Sequence, residues 1–226
     1  MDLRERRSPN HDARTGIVDM LVLHYTGMKS AAEALERLTS PDAAVSAHYL
    51  VDEDGTVWRL VAEERRAWHA GMSSWRGRSD INGASIGIEL VNPGHAWGYR
   101  AFPGTQIEAL VELCRAVMAR QAIPQRHVLG HSDVAPTRKM DPGELFPWAF
   151  LARAGIGLWP EAPWPEAPEN LAETRRLLDA IGYAVEDSGA AITAFQRRYR
   201  PLRCDGAADE ETRRLIAAVA KMCGEV

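Results

Sequence analysis

Residues Trp159 to Pro168 spell the pentapeptide Trp-Pro-Glu-Ala-Pro twice in succession, and no helix or central strand can run through them. Each proline lacks a backbone N–H and fixes its own φ, so a stretch this dense in proline is expected to be extended and semi-rigid. It divides the 226-residue chain into residues 1–155, a Pro/Trp-rich linker over 156–169, and residues 170–226. The alternative is a tail that wraps back on the first part through its Trp rings.

The first part interleaves strand and helix patterns. Ile17 to Leu23 is a short apolar run ending at His24, which reads as a buried strand. Ser30 and Glu33 have capping-box spacing and open a helix to about Leu38. Val45–Val51 and Thr56–Val61 flank Asp54-Gly55 as a hairpin. Ser85–Val91 is a further strand that carries Glu89 among Ile86, Ile88 and Leu90. Thr105 and Glu108 suggest a second capping box, before a helix with Ile107, Leu110, Val111, Cys114 and Val117 at three- and four-residue spacing. Pro124 stops it, and His127 to Gly130 is a brief strand leading to His131. The expected fold is α/β, a mixed β-sheet flanked by helices. Residues 170–226 add three helices, over about Leu171–Ile181, Ala190–Tyr199 and Asp209–Met222.

Composition narrows the function classes. A formal net charge of -4 argues against nucleic acid, which needs clustered Lys and Arg. No apolar run approaches transmembrane length, so membrane insertion is not expected. The stretch Met1 to Arg7 has no apolar segment behind it and no lipobox-like cysteine, which reads as a cytoplasmic protein. The three cysteines have no C-x-x-C spacing, and Cys114 sits in an apolar helical stripe as a packing residue.

Four residues stand out chemically: His24 at a strand end, Glu89 inside an apolar strand, and His131 and Asp141 within one loop-rich run. Two imidazoles and a carboxylate suit a zinc ion and leave a coordination position open. From spacing alone each has a plainer reading, as a hydrogen-bonded histidine or a turn-starting aspartate. His48, in a half-buried strand, reads as a structural imidazole rather than a ligand.

The neighbouring residues carry a more specific signal. The blocks Leu21-Val22-Leu23-His24-Tyr25-Thr26, Ser46-Ala47-His48-Tyr49-Leu50-Val51, Ala67-Trp68-His69-Ala70-Gly71, Ser85-Ile86-Gly87-Ile88-Glu89-Leu90 and His131-Ser132-Asp133-Val134-Ala135-Pro136, with Lys139 and Asp141, occur in order between about Ser8 and Trp148. Together they resemble the zinc N-acetylmuramoyl-L-alanine amidases of the type-2 amidase family, relatives of peptidoglycan recognition proteins. The resemblance implies that His24, His131 and Asp141 hold Zn2+ and that Glu89 is the general base. It implies that Lys139 stabilises charge on the carbonyl oxygen, and that Tyr25, Trp68, His69, Arg78 and Asn82 contact substrate. The implied reaction is hydrolysis of the amide between N-acetylmuramic acid, in its 1,6-anhydro form, and L-alanine of peptidoglycan stem peptides, in cell-wall recycling. Muropeptides are then the partners. The competing readings are a non-catalytic muropeptide-recognition protein and a lytic amidase acting on intact walls. Leu177–Tyr183, the Ala191–Gln196 helix and Cys204-Asp205-Gly206 resemble a three-helix peptidoglycan-binding module.

Overall fold

The computed structural model describes residues 2–224. Its strands are β1 (Leu3–Glu5), β2 (His11–Ala13), β3 (Met20–Tyr25), β4 (Tyr49–Val51), β5 (Val57–Arg59), β6 (Arg65–Ala67), β7 (Ser85–Leu90) and β8 (Val128–Gly130). Its helices are α1 (Ala31–Thr39), α2 (Ile81–Ala84), α3 (Gly94–Trp97), α4 (Gly104–Gln121), α5 (His131–Val134), α6 (Trp148–Arg153), α7 (Leu171–Ile181), α8 (Ser188–Tyr199) and α9 (Glu210–Met222). Six strands form one sheet in the order β1-β5-β4-β7-β3-β8, mixed in direction because β4 and β5 make the expected antiparallel hairpin while β4, β7, β3 and β8 run parallel. Strands β2 and β6 pair separately.

The central strands β3 and β7 explain the rest of the architecture. They are buried on both faces and accordingly read as near-continuous apolar runs. Alternation sends Leu21 and Leu23 of β3, with Ile86, Ile88 and Leu90 of β7, into one apolar layer, where they meet Leu110, Leu113, Cys114 and Val117 of α4. Met20 and Val22 join a second layer on the opposite face. His24, Ser85, Gly87 and Glu89 share that second face by the same alternation.

Two helix starts test the capping expectations. Ser30 accepts a hydrogen bond from the Glu33 backbone N–H, while the Glu33 carboxylate accepts from Lys29 N, one residue before the cap. Thr105 is not a cap: α4 begins at Gly104 behind Pro103, and the Thr105 hydroxyl donates to the Glu53 carbonyl at 2.8 Å, tying the helix to the hairpin turn. In the C-terminal part, Asn170, Asp187 and Asp209 each accept a backbone N–H at the head of α7, α8 and α9.

The segment expected to act as a spacer has no regular structure but does not separate the two parts. Trp159 packs against both apolar layers, and its ring centroid lies 6.0 Å from that of Tyr199. Leu177, Ile181, Tyr183, Phe195 and Ile216 share one cluster with Met20, Val22, Trp75, Ile81 and Leu129. At its polar centre lies Asp133, 1% exposed. Asp133 accepts hydrogen bonds from Tyr183 Oη at 2.7 Å, Arg198 Nη1 at 2.7 Å and Gly130 N at 2.8 Å. The Arg198 guanidinium also lies 4.0 Å from the Trp148 ring centroid. Local composition gave the Pro-rich backbone its extended form, whereas burial of the Trp rings and this ion pair are tertiary effects that composition does not carry. Removing one partner of a buried ion pair strands the other charge in low dielectric. Arg198→Ala is therefore expected to lower the unfolding free energy by roughly 3–5 kcal/mol, read from denaturant titration of the two proteins.

Candidate metal centre and active site

Each candidate ligand is delivered by a distinct turn in the chain. His24 is the fifth residue of β3 and stands in register beside Glu89 of β7. The chain leaves β8 at Gly130 and turns straight into α5, whose first residue is His131. Only glycine fits at position 130, because a Cβ there would lie 2.8 Å from Pro142 Cδ. Asp141 returns to the same place because its carbonyl accepts the Ser132 backbone N–H at 2.8 Å.

The result is a triangle of donor atoms. His24 Nδ1 lies 2.9 Å from His131 Nδ1 and 3.1 Å from Asp141 Oδ2, and His131 Nδ1 lies 3.0 Å from the same oxygen. The three residues are 1%, 4% and 6% exposed. His131 Nε2 is 3.1 Å from the Ala70 carbonyl, which can only accept, so in the neutral ring the proton sits on Nε2 and the bare Nδ1 faces the triangle. Edges of about 3 Å suit ligand atoms held about 2 Å from a tetrahedral ion. The donor chemistry thus fits a divalent metal with two imidazole and one carboxylate ligands. Burial, with His131 beside it, brings the His24 pKa down to about 4, which favours the neutral ring a metal requires. Burial acts to raise the pKa of Asp141, but the two histidines outweigh it and hold the carboxyl below its ordinary range.

Beside the triangle a cavity of about 370 Å³ opens, lined by Tyr25, Trp68, His69, Glu89, Lys139 and the ligands His131 and Asp141. Glu89 reaches it from the floor. Its Oε2 is buried and has no hydrogen-bond partner among the described residues. Burial, reinforced by the charge of Asp141, pushes its pKa up to about 8, against an opposing pull from Lys139. A carboxylate without partners, poised near neutrality and open to a cavity, is suited to moving protons.

The other expected residues divide. Tyr25 and Trp68 line the cavity, with Tyr25 Oη 2.9 Å from His95 Nδ1 and Trp68 Nε1 donating to Asp12. His69 also lines it, but is 8% exposed and packs behind His24, with His69 Nδ1 3.1 Å from His24 Nε2. Arg78 is not among the lining residues: its guanidinium holds both Asp19 oxygens, at 2.8 and 2.6 Å. Asn82 is also outside the cavity, buried, and its Oδ1 accepts the backbone N–H groups of His69 and Ala70 at 3.0 and 2.7 Å. Arg78 lies in a loop and Asn82 in α2, and sequence position could not say which way either side chain points. His48 is the structural imidazole expected, its Nδ1 accepting from Gly87 N at 3.0 Å.

Sequence reading missed Arg37 and Arg138, both of which line the cavity. Arg138 donates to the carbonyls of Ala70 and Met72. Arg37 is exposed on α1 and makes no side-chain hydrogen bond or ion pair among the described residues. Its position in the polar stripe of an amphipathic helix carries no signal that distinguishes it from a solvated arginine.

Comparison with known proteins gives a consistent result. Residues 14–144 match the family model described as N-acetylmuramoyl-L-alanine amidase. The chain is 38% identical over 237 residues to the N-acetylmuramoyl-L-alanine amidase AmiD of Escherichia coli (strain K12), covering 92% of this chain and 84% of AmiD. It is 34% identical over 168 residues to the 1,6-anhydro-N-acetylmuramyl-L-alanine amidase AmpD of Enterobacter cloacae, covering 66% of this chain and 88% of that one. The solved structure of E. coli AmiD with the substrate anhydro-N-acetylmuramic acid-L-Ala-D-gamma-Glu-L-Lys superposes with a TM-score of 0.85 at 37% identity, covering 98% of this chain and 94% of that one. AmpDh3 from Pseudomonas aeruginosa with anhydromuramic pentapeptide gives a TM-score of 0.83 at 32% identity, covering 96% of each chain.

The electrostatics of Glu89 make a prediction for the metal-free protein. Its folded pKa of about 8 stands above the ordinary value of 4.5, so the folded state holds the proton more tightly than the unfolded chain does. The penalty is absent below about 4.5, grows as pH rises from there towards about 8, and is constant above it. Glu89→Gln should therefore stabilise the metal-free protein by roughly 4 kcal/mol at pH 8 and have little effect at pH 4, measured by thermal unfolding at the two pH values.

Proposed function

Because the chain belongs to the N-acetylmuramoyl-L-alanine amidase family, we propose that it is a zinc amidase, hydrolysing the bond between the lactyl carbonyl of 1,6-anhydro-N-acetylmuramic acid and L-alanine of a stem peptide. The observation that carries this reading is the triangle of His24 Nδ1, His131 Nδ1 and Asp141 Oδ2 beside the unpartnered carboxylate oxygen of Glu89. The names of the relatives support the substrate, since AmiD and AmpDh3 were each solved with an anhydromuramyl peptide.

When bound by His24, His131 and Asp141, zinc would polarise the scissile carbonyl and make water a better nucleophile. Glu89 takes the proton of the attacking water and delivers it to the leaving amide nitrogen. Burial and the lack of a hydrogen-bond partner suit one carboxyl to take up the proton and release it. Lys139 lines the same cavity and its ammonium makes no hydrogen bond or ion pair among the described residues, so it is free to face the charge that develops on the carbonyl oxygen. Tyr25 and Trp68 offer aromatic surface at the cavity wall. Arg37, with its donors unused, suits a carboxylate of the stem peptide.

The filled acid/base and ligand positions favour an enzyme over a silent recognition protein. Among the described residues no helix is long and apolar enough to cross a membrane. Soluble anhydro-muropeptides are the proposed substrates, and with them a cytoplasmic recycling role. A preference for intact sacculi would point instead to wall lysis in the cell envelope.

Incubation of the protein with a purified anhydro-muropeptide, followed by mass spectrometry, should yield free stem peptide and anhydro-sugar. A chelator should stop the reaction and zinc restore it; no cleavage by zinc-loaded protein of either muropeptide or sacculi would reject the amidase reading. Glu89→Gln should lower kcat at least ~100-fold while zinc content stays unchanged. Arg37→Ala should raise KM roughly tenfold with kcat little altered, an effect that disappears with substrates lacking the stem carboxylates.

A further inference from the structure

We propose that Ser85 and His69 form a directional hydrogen-bond relay whose role is to hold His24 with its proton on Nε2, leaving the Nδ1 lone pair aimed at His131 and Asp141.

The direction follows from the end of the chain of contacts, where one partner has no choice. The Ser85 hydroxyl lies 2.6 Å from the Ile81 carbonyl oxygen, which can only accept, so Ser85 donates there. Its oxygen is then an acceptor towards His69 Nε2, 3.3 Å away, and His69 carries its proton on that nitrogen. In a neutral ring the other nitrogen, His69 Nδ1, is bare. It lies 3.1 Å from His24 Nε2, which must therefore donate. The proton of His24 is thus placed on Nε2, on the side away from the metal triangle. His131 reaches the same state by a shorter route, through the Ala70 carbonyl.

Four further features hold the relay in place. The backbone N–H groups of His69 and Ala70 both bond to Asn82 Oδ1, so a single amide fixes the segment after β6 that supplies the partners of both histidine ligands. The His69 ring lies against the backbone of β7 at Gly87, where a Cβ would come within 2.4 Å of the His69 Cγ. Ser85 is fully buried, as the fixed end of such a relay has to be. The rings of His24 and His69 stand at 79° to each other with centroids 5.1 Å apart, and their nearest nitrogens, His24 Nε2 and His69 Nδ1, are 3.1 Å apart.

The alternative arrangement runs the other way. Ser85 would donate to His69 Nε2, His69 Nδ1–H to His24 Nε2, and His24 Nδ1–H to Asp141. That arrangement forfeits the 2.6 Å bond to Ile81 and places a proton where the metal belongs. A ligand imidazole fixed by a hydrogen bond to its second nitrogen binds its ion more tightly, and loss of such a partner weakens binding by roughly 10–100-fold.

The inference builds on the metal reading, but its first test requires no metal. Long-range 1H–15N spectra of the full chain labelled with 15N-histidine, freed of metal by chelator, distinguish protonated from bare ring nitrogens. The expected result is Nε2–H on both His24 and His69. A proton on Nδ1 of either ring would overturn the proposal. In Ser85→Ala, checked for folding by circular dichroism, His24 should show a mixture of the two forms. Its zinc affinity, by competition with a fluorescent chelator, should fall roughly 10–100-fold. Ser85→Thr, which keeps the hydroxyl, should recover both properties. Unchanged His24 nitrogens in Ser85→Ala, or affinity within twofold of the parent, would equally overturn the relay. If the parent shows the expected protons yet binds no zinc, the relay stands and the metal reading fails.

Discussion

The pairing of β3 with β7 fixes everything that happens at the site. In a parallel ladder residues that share a register sit side by side and face the same way, and this one sets His24 beside Glu89. A slip of one residue would turn one of these two side chains into the apolar layer under α4 and bring Ile88 or Leu23 to the cavity in its place. That error is prevented by the apolar residues themselves: Leu21, Leu23, Ile86, Ile88 and Leu90 are buried against α4 only in the observed register. Hydrophobic packing on one face thereby sets the spacing of polar groups on the other.

The polar face is expensive and is organised accordingly. His24, His48, His69 and Ser85 are all buried, and each finds partners within hydrogen-bonding distance. Unsatisfied groups at this depth would cost more than their bonds return. Glu89 Oε2, by contrast, has no partner among the described residues where it faces the cavity. A buried carboxylate left unpaired at a cavity beside the ligand triangle marks where chemistry, rather than stability, governs the residue.

Much of this was legible in the sequence, for reasons that differ by residue. His24 and Glu89 could be placed because a short apolar strand has only two faces, and alternation assigns each residue to one of them. His131 and Asp141 needed family resemblance, since ten residues of loop say nothing about where their ends meet. Arg78, in a loop, and Asn82, in α2, serve ends other than substrate contact, a surface ion pair with Asp19 and a backbone anchor for His69 and Ala70. Side-chain direction in a loop depends on partners far along the chain. Thr105 shows the same limit: its spacing to Glu108 suggested a cap, but the carbonyl of Glu53 on another element offered its hydroxyl a better use. The proline-rich segment gave its local shape away and hid its packing.

The anchoring of Asp133 bears on how the molecule is made. Asp133 follows His131 by two residues, in the short helix that begins with that ligand, yet the Tyr183 and Arg198 groups that neutralise it belong to the last third of the chain. On the ribosome the sheet and its ligands emerge first, with a bare carboxylate and the uncovered faces of Met20, Val22 and Leu129 still waiting for α7, α8 and α9. The neutralisation of Asp133, two residues beyond His131, therefore waits until those helices have left the exit tunnel, which makes the C-terminal third the closing step of assembly around the sheet.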